Sequence, residues 1–449
     1  MTSVEKNMTF RIRTTILFLL MPLLTFANNP ATPVDLACIA PSNWFPKTPQ
    51  PMNFVANTDC EFQQWSWQEF LWLTQFTDQS PTVRNFETLA SPSDLFVASP
   101  QPYPGRVGQS IRMAPRFLKP QPETMTATAQ AGTADVLVDQ NGNLVYYTAM
   151  VNEMYYNFIT SHHLNLMPNV VRADPNLNFP THGVGALELK ASWRIVSKGG
   201  KTYINNPQDF ITIPAKIEDW EFDSVKKVWV DNKRLIDATM AMVGMHVVGT
   251  VPNHPEFIWA TFEHIDNAPT CAATTGNKVG KTNPATGNPW SFYPGDLDCG
   301  SGVPCNQGTT ITKDKDIKTS VCLLVPEGGG TPASQKIVQS INASVLANLT
   351  PHDVRRNYYL GGSVWTTNGT IPPPLAPSNS GGTMQTVITG STSVENTTME
   401  TFNQLEGNNC FGCHNLTNPP LPGSKNIYVS HLLQFAVPLP AHKTAPGKK

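Results

Sequence analysis

Five residues near the end of the chain, Cys410-Phe411-Gly412-Cys413-His414, join two thiols and an imidazole at a spacing that suits one reaction. Cys-x-x-Cys-His is the attachment sequence of c-type haem. The two thiols add across two porphyrin vinyl groups, and a two-residue gap lets both reach one edge of the macrocycle. The histidine that follows then lies under the iron and supplies its proximal nitrogen. Gly412 lets the short turn pass close to the ring. Attachment needs reduced thiols and haem outside the cytoplasm. A thioredoxin-like dithiol would instead expect a βαβ setting, which the flanking sequence lacks. Half of a zinc site would need further ligands nearby. The expected cofactor is one covalent haem c bound by Cys410 and Cys413, with His414 as the proximal iron ligand.

The tail after His414 contains no methionine and has room for one helix, "IYVSHLLQFA". A haem held by so short a segment would stay wet, so the large domain is expected to supply a wall of its pocket. Three occupants of the distal position are open. His431, in that last helix, comes first. Met399, on an expected helix leading into Cys410, comes second. An empty position is third. Methionine would raise the reduction potential relative to histidine, and an empty position would admit peroxide chemistry.

The chain is far longer than a haem carrier needs, which raises the question of a second site. Alternation along strands decides which side chains share a face. In "GALELKASWR", Glu188, Lys190 and Arg194 share one. In "AMVGMHVVG", His246 goes with Met242, Gly244 and Val248. In "EFIWATFEH", Trp259, Thr261 and Glu263 share one face, and Phe262 and His264 take the other. Charges in apolar strands are costly unless paired. Glu188, Lys190, Arg194, His246 and Glu263 are therefore the candidate catalytic residues, a polar cluster near the haem. Buried salt bridges with one satisfied core histidine would read the same way. His254 reads as a turn residue.

The elements that position these groups follow from the rest of the chain. Residues 1–27 read as a signal peptide: Arg11 and Arg13, an apolar run to Leu24, then Thr25-Phe26-Ala27. That run is too short to span a bilayer, which takes about 20 residues, so export to the periplasm is expected, with no transmembrane segment in the mature chain. Net charge is −2, and no basic patch precedes the short tail "HKTAPGKK", which argues against nucleic acid as a partner. A periplasmic redox protein is the expected partner. The six remaining cysteines read as disulfides in an exported chain: Cys38–Cys60, then Cys299–Cys305 and Cys271–Cys322 as the favoured pairing.

"CEFQQWSWQEFLWLTQF" has helical spacing and reads as an amphipathic helix. "PASQKIVQSINASVLANL" is a second helix. "VLVDQNGNLVYYTAMVN" is a hairpin around Asn141-Gly142. "GALELKASWRIV", "FITIPAKIEDW", "KVWVDNKRLID", "AMVGMHVVGTV" and "EFIWATFEHID" all read as strands. The expected fold is α+β and mostly β: an antiparallel sheet or sandwich with peripheral helices and a short helical C-terminal haem segment. The expected divisions are an N-terminal helix and loop region (28–133), a main β domain (134–368) with a disulfide-rich insertion (270–325), a linker draped over the surface (369–394) and the haem segment (395–449).

Three stretches, "NFPTHGVGALELKASWRIV", "VGMHVVGTVPNHPEFIWATFEHIDNAP" and "NTTMETFNQLEGNNCFGCHN", resemble the bacterial exported proteins grouped as "cytochrome c family protein". The resemblance implies covalent haem c and electron transfer, and no particular substrate. It assigns no role to His162 or His163. An oxidoreductase of peroxidase type, or a haem-containing sensor or binding protein, are the alternatives.

Overall fold

Strands that alternate large apolar residues with small or polar ones bury one face at a time, and here they assemble one large sheet. The computed structural model describes residues 38–105, 111–114, 135–300, 304–310, 318–373, 387–405, 407–417 and 421–438. The signal-peptide reading therefore lies outside the described residues. The sheet has nine strands: β1 (Ile111–Met113), β2 (Tyr146–Val151), β3 (Leu187–Lys198), β4 (Lys201–Thr202), β5 (Thr212–Asp223), β6 (Val228–Val251), β7 (His254–His264), β8 (Tyr358–Thr366) and β9 (Ile388–Gly390). They run β9-β8-β7-β6-β3-β2, all antiparallel. β5 pairs with the first half of β6, β4 with the end of β3, and β1 lies parallel to β5.

The fold is thus mostly β with peripheral helices, built on a single sheet rather than a sandwich. The two expected strands "KVWVDNKRLID" and "AMVGMHVVGTV" are one 24-residue strand, β6. It stays extended across the junction because Asp237, Ala238 and Thr239 pair with Lys216, Ala215 and Pro214 of β5. The Asn141-Gly142 hairpin forms as expected, with Gly142 at φ 78° and Val138 bridged to Leu144. The Asp139 carboxylate accepts from the N–H groups of Asn141 and Asn143 and holds the turn.

Helices α1 (Asp59–Thr74) and α2 (Pro332–Asn348) cover one face of the sheet. Trp65, Trp67 and Phe70 of α1 and Val338, Ile341 and Val345 of α2 meet Leu189, Ala191, Trp193, Val247 and Phe262 in one apolar cluster. Phe70 stacks on Phe262 at 4.2 Å, and the Trp67 indole N–H donates to Asn342 Oδ1 at 2.8 Å. Burying each such side chain stabilises the fold by about 1.5–3 kcal/mol. α1 starts with a capping box, Thr58 and Glu61. It is not amphipathic as expected: Gln63, Ser66, Gln68 and Glu69 are also buried. The N-terminal segment folds over its outer side, where Gln64 and Gln68 donate to the carbonyls of Ile39 and Pro49.

The disulfides are Cys38–Cys60, Cys271–Cys322 and Cys299–Cys305, the favoured pairing. The expected surface linker ends instead in β9, which pairs with β8, and Ser391 and Val394 beyond it are buried; residues 374–386 lie outside the described residues. Among the described residues no helix is long and apolar enough to cross a membrane.

Candidate functional site

The opposite face of the sheet sets polar side chains among apolar ones. Three rows cross it: Lys190, His246 and Thr261; Glu188, Val248 and Trp259; Ser192, Gly244 and Glu263. An extra residue in β6, Val243, shifts the register between Ser192 and Trp193. Met242 therefore pairs with Trp193 and joins the helix-covered core, not the face of His246 as alternation alone implies.

Side chains of this face fasten the chain that leads to the cysteines. Asn396 Nδ2 donates to Thr261 Oγ1 (2.9 Å), and the Thr397 N–H and hydroxyl both donate to the Glu263 carboxylate. Thr398 Oγ1 lies 2.6 Å from Ser192 Oγ. The approach is close enough to require glycine: a Cβ on Gly244 would stand 2.6 Å from Thr398 Oγ1 and 2.8 Å from Ser192 Oγ.

Cys410–Gly412 form a single 3-10 turn, capped by Asn409, whose side chain accepts from the Phe411 N–H. The His414 N–H closes back on the Cys410 carbonyl at 2.8 Å. Phe411 is fully buried in an apolar cluster with Val248, Trp259, Val364 and Val394. That anchor leaves Cys410, Cys413 and His414 half-buried. Of the eight cysteines, Cys410 and Cys413 are the two that form no disulfide. Burial, and then Glu400, push both thiols up, so they stay protonated. A redox dithiol needs the opposite shift.

His414 Nδ1 lies 2.9 Å from the Val429 carbonyl, which can only accept, so Nδ1 carries the proton and Nε2 the lone pair. Burial, then His431, hold the imidazole well below its usual range and keep it neutral. Two rings pack against it, Trp259 tilted at 4.1 Å and His431 stacked at 3.8 Å between centroids. Next to Val429, Ser430 donates to Glu188 Oε2 (2.6 Å) and lies 2.8 Å from the Tyr155 hydroxyl. The expected last helix is two 3-10 turns, Asn426–Val429 and His431–Phe435, broken at Ser430 with ψ 117°.

Comparison with protein-family models, with curated proteins and with solved structures finds no match to this chain.

Of the five candidate catalytic residues, Lys190 interacts with Cys413, and Glu188 and His246 are its neighbours. Lys190 stands directly across from His246, whose Nε2 is 3.0 Å from Glu400 Oε1. Burial lowers the Lys190 ammonium, opposed by Glu400, Cys413 and Glu188. Burial pushes Glu188 up to about 7 against the Ser430 hydrogen bond and Lys190. Burial would also raise Glu400, but His246 and Lys190 outweigh it and the carboxyl is lowered. Glu400 was not among the sequence candidates, since it sits on a turn outside any alternating strand.

Arg194 and Glu263 serve elsewhere. Arg194 shares the face but lies four residues beyond Lys190, about 13 Å along the strand. It is bound to Asp139 Oδ2 (2.9 Å) and Ser291 Oγ (2.7 Å). Glu263 is occupied by Thr397 and Asn267. The two candidate distal ligands differ as well. Met399 is on a turn, not a helix, and is fully buried in a separate cluster with Leu137, Val145, Val243 and Phe292. His431 is stacked on the His414 ring at 21°, with Nε2 3.1 Å from the Cys413 carbonyl.

Proposed function

We propose that the protein is a periplasmic monohaem c-type cytochrome that passes electrons to a protein partner. The observation that carries this reading is the pairing of two disulfide-free thiols in Cys410-x-x-Cys413 with an adjacent imidazole whose Nδ1 is committed to a backbone carbonyl. That donor set fits the group. Cys410 and Cys413 would hold it by thioethers, and His414 Nε2 would supply a nitrogen ligand to its iron. When bound, haem supplies one-electron chemistry. The Val429 carbonyl fixes the tautomer and basicity of His414. Trp259 and His431 pack against its ring, and Phe411 ties the turn to the sheet. Export rests on the N-terminal sequence, in agreement with the three disulfides.

A second reading, a haem-dependent oxidoreductase of peroxidase type, is favoured by one observation: Lys190 and Glu400 interact with Cys413, and His246 pairs with Glu400, as acid, base and charge partner. It calls for an open distal position. Of the three distal arrangements, that one moves neither Met399 from its core nor His431 from its stack.

The test is expression of the full chain in a host with haem-ligation machinery. The expected product carries the mass of one haem and a Soret band, and both vanish in Cys410→Ser/Cys413→Ser. Bare-chain mass in the wild type would end the proposal. Cyanide that leaves the spectrum unmoved favours the carrier; a ligand-induced shift favours the oxidoreductase.

A further inference from the structure

The His414 imidazole stands at one end of a column of rings. Trp259 lies 4.1 Å from it and Phe257 6.0 Å from Trp259, between centroids. Phe179 follows at 5.0 Å, Phe158 at 4.8 Å and His162 at 4.6 Å. Trp259, Phe257, Phe179 and Phe158 are buried, and His162 at the far end is exposed.

Three separate parts of the chain supply these rings. Trp259 and Phe257 share one face of β7 by alternation. Phe158 and His162 are four residues apart on one side of the helix Glu153–Ser161 and its C-cap. Phe179, in the loop before β3, fills the space between strand and helix. Phe257 has a left-handed backbone, φ 70°, where the register of β7 against β6 slips between His254 and Ile258. A large side chain disfavours that conformation, and it persists because the packing around it holds it. Core packing accounts for the buried rings, but it does not call for an exposed imidazole at the end of them. The Phe158 carbonyl can only accept, so His162 Nδ1, 3.0 Å away, carries the proton and Nε2 keeps its lone pair.

We propose that this column is the route by which electrons enter the protein, and that the surface at His162 is where a reduced redox protein docks. The route rests on the haem reading of Cys410, Cys413 and His414. One electron leaves the partner's cofactor and arrives at ferric iron through His414; no proton moves and no bond forms or breaks. Tunnelling weakens exponentially with distance and most steeply across voids, so close-packed rings carry it where a gap would not.

A photoactive ruthenium complex coordinated to His162 Nε2 stands in for the partner. His163, His182, His352 and His442 are replaced by Gln, so that His162 takes the label. In the haem-loaded chain the flash-excited label should reduce the iron. Phe179→Leu stays apolar but opens a gap, and should slow that step severalfold with the reduction potential unmoved. Phe86→Leu, an equally buried ring outside the column, should leave the rate unchanged. In the haem-free Cys410→Ser/Cys413→Ser chain, the photo-oxidised label should instead draw an electron from Trp259. The visible absorption of a tryptophan radical reads that step; Trp259→Phe should remove it and Phe179→Leu should slow it. Equal rates in Phe179→Leu and Phe86→Leu, or faster reduction from a label on His352 than from one on His162, overturn the route. Should Phe179→Leu fail to fold by circular dichroism, Phe257→Leu replaces it with the same outcomes. A chain that takes no haem ends the cytochrome reading while the Trp259 radical still reports on the column, so either can fail alone.

Discussion

The two faces of the sheet are built on different principles. One is closed by two helices: the tryptophans and phenylalanines of α1 and Val338, Ile341 and Val345 of α2 share one cluster with Leu189, Trp193 and Phe262. The other is closed by a C-terminal segment of turns, held by Asn396, Thr397, Thr398 and Ser430 against Glu263, Thr261, Ser192 and Glu188. Apolar contact is non-directional, so the first face fixes the fold and tolerates small shifts. Hydrogen bonds to buried carboxylates are directional and leave a large penalty if unmade. The second face therefore fixes where Cys410, Cys413 and His414 stand.

The helix-covered face should lose more stability to a single truncation. Phe262→Ala removes the ring that stacks on Phe70 and meets Trp67 edge-on at 5.0 Å. A loss of about 3–5 kcal/mol is expected in urea unfolding. The second face should respond less, and differently. Gly244→Ala presses a methyl against Thr398 and Ser192, and about 1–3 kcal/mol is expected. Its mark should be local: faster amide exchange over 395–401, with the helix-covered core unchanged. Uniform acceleration across both faces would show that the C-terminal segment and the core open as one unit.

Acidity sharpens the contrast. Glu188 and Glu263 are each pushed up to about 7 by burial, above the 4.5 of an ordinary glutamate. Between those values the unfolded chain ionises while the folded one keeps its protons. Stability should therefore fall as pH rises from about 4.5 to 7, by up to about 1.4 kcal/mol per pH unit for each group. Glu188→Gln should remove one proton's share of that slope, measured by urea titration at several pH values. An unchanged slope would mean that Glu188 is ionised in the folded state.

The first face was largely legible in the sequence. Both helices form where the sequence places them, although α1 is buried on more than one side, and its strands alternate. The second was legible only in part. Glu188, Lys190 and His246 stood out because charges in apolar strands need a reason. Glu400 did not, because a glutamate on a turn in "TTMET" looks solvated until the turn folds back over the sheet. Met242 was placed on the wrong face because one extra residue, Val243, resets alternation and leaves no mark in composition. The role of Trp259 as a wall of His414 depends on a contact across 155 positions of chain, which no local pattern encodes.

Ser430→Ala tests the finest feature of the second face. The serine joins strand and tail at one point: it donates to Glu188, lies against Tyr155, and follows the carbonyl that holds His414. Removing one hydroxyl leaves Glu188 and the Tyr155 hydroxyl short of a partner inside the protein, so about 1–2 kcal/mol should be lost. A merely structural serine would do no more. If it also sets the Val429 carbonyl, the His414 Nδ1 proton should exchange faster, and in the haem-loaded protein the reduction potential should move with imidazole basicity. Ser430→Thr keeps the hydroxyl and should restore both readouts. Lost stability with an unmoved potential would confine Ser430 to tethering the tail and leave Val429 to be positioned by the rest of its turn.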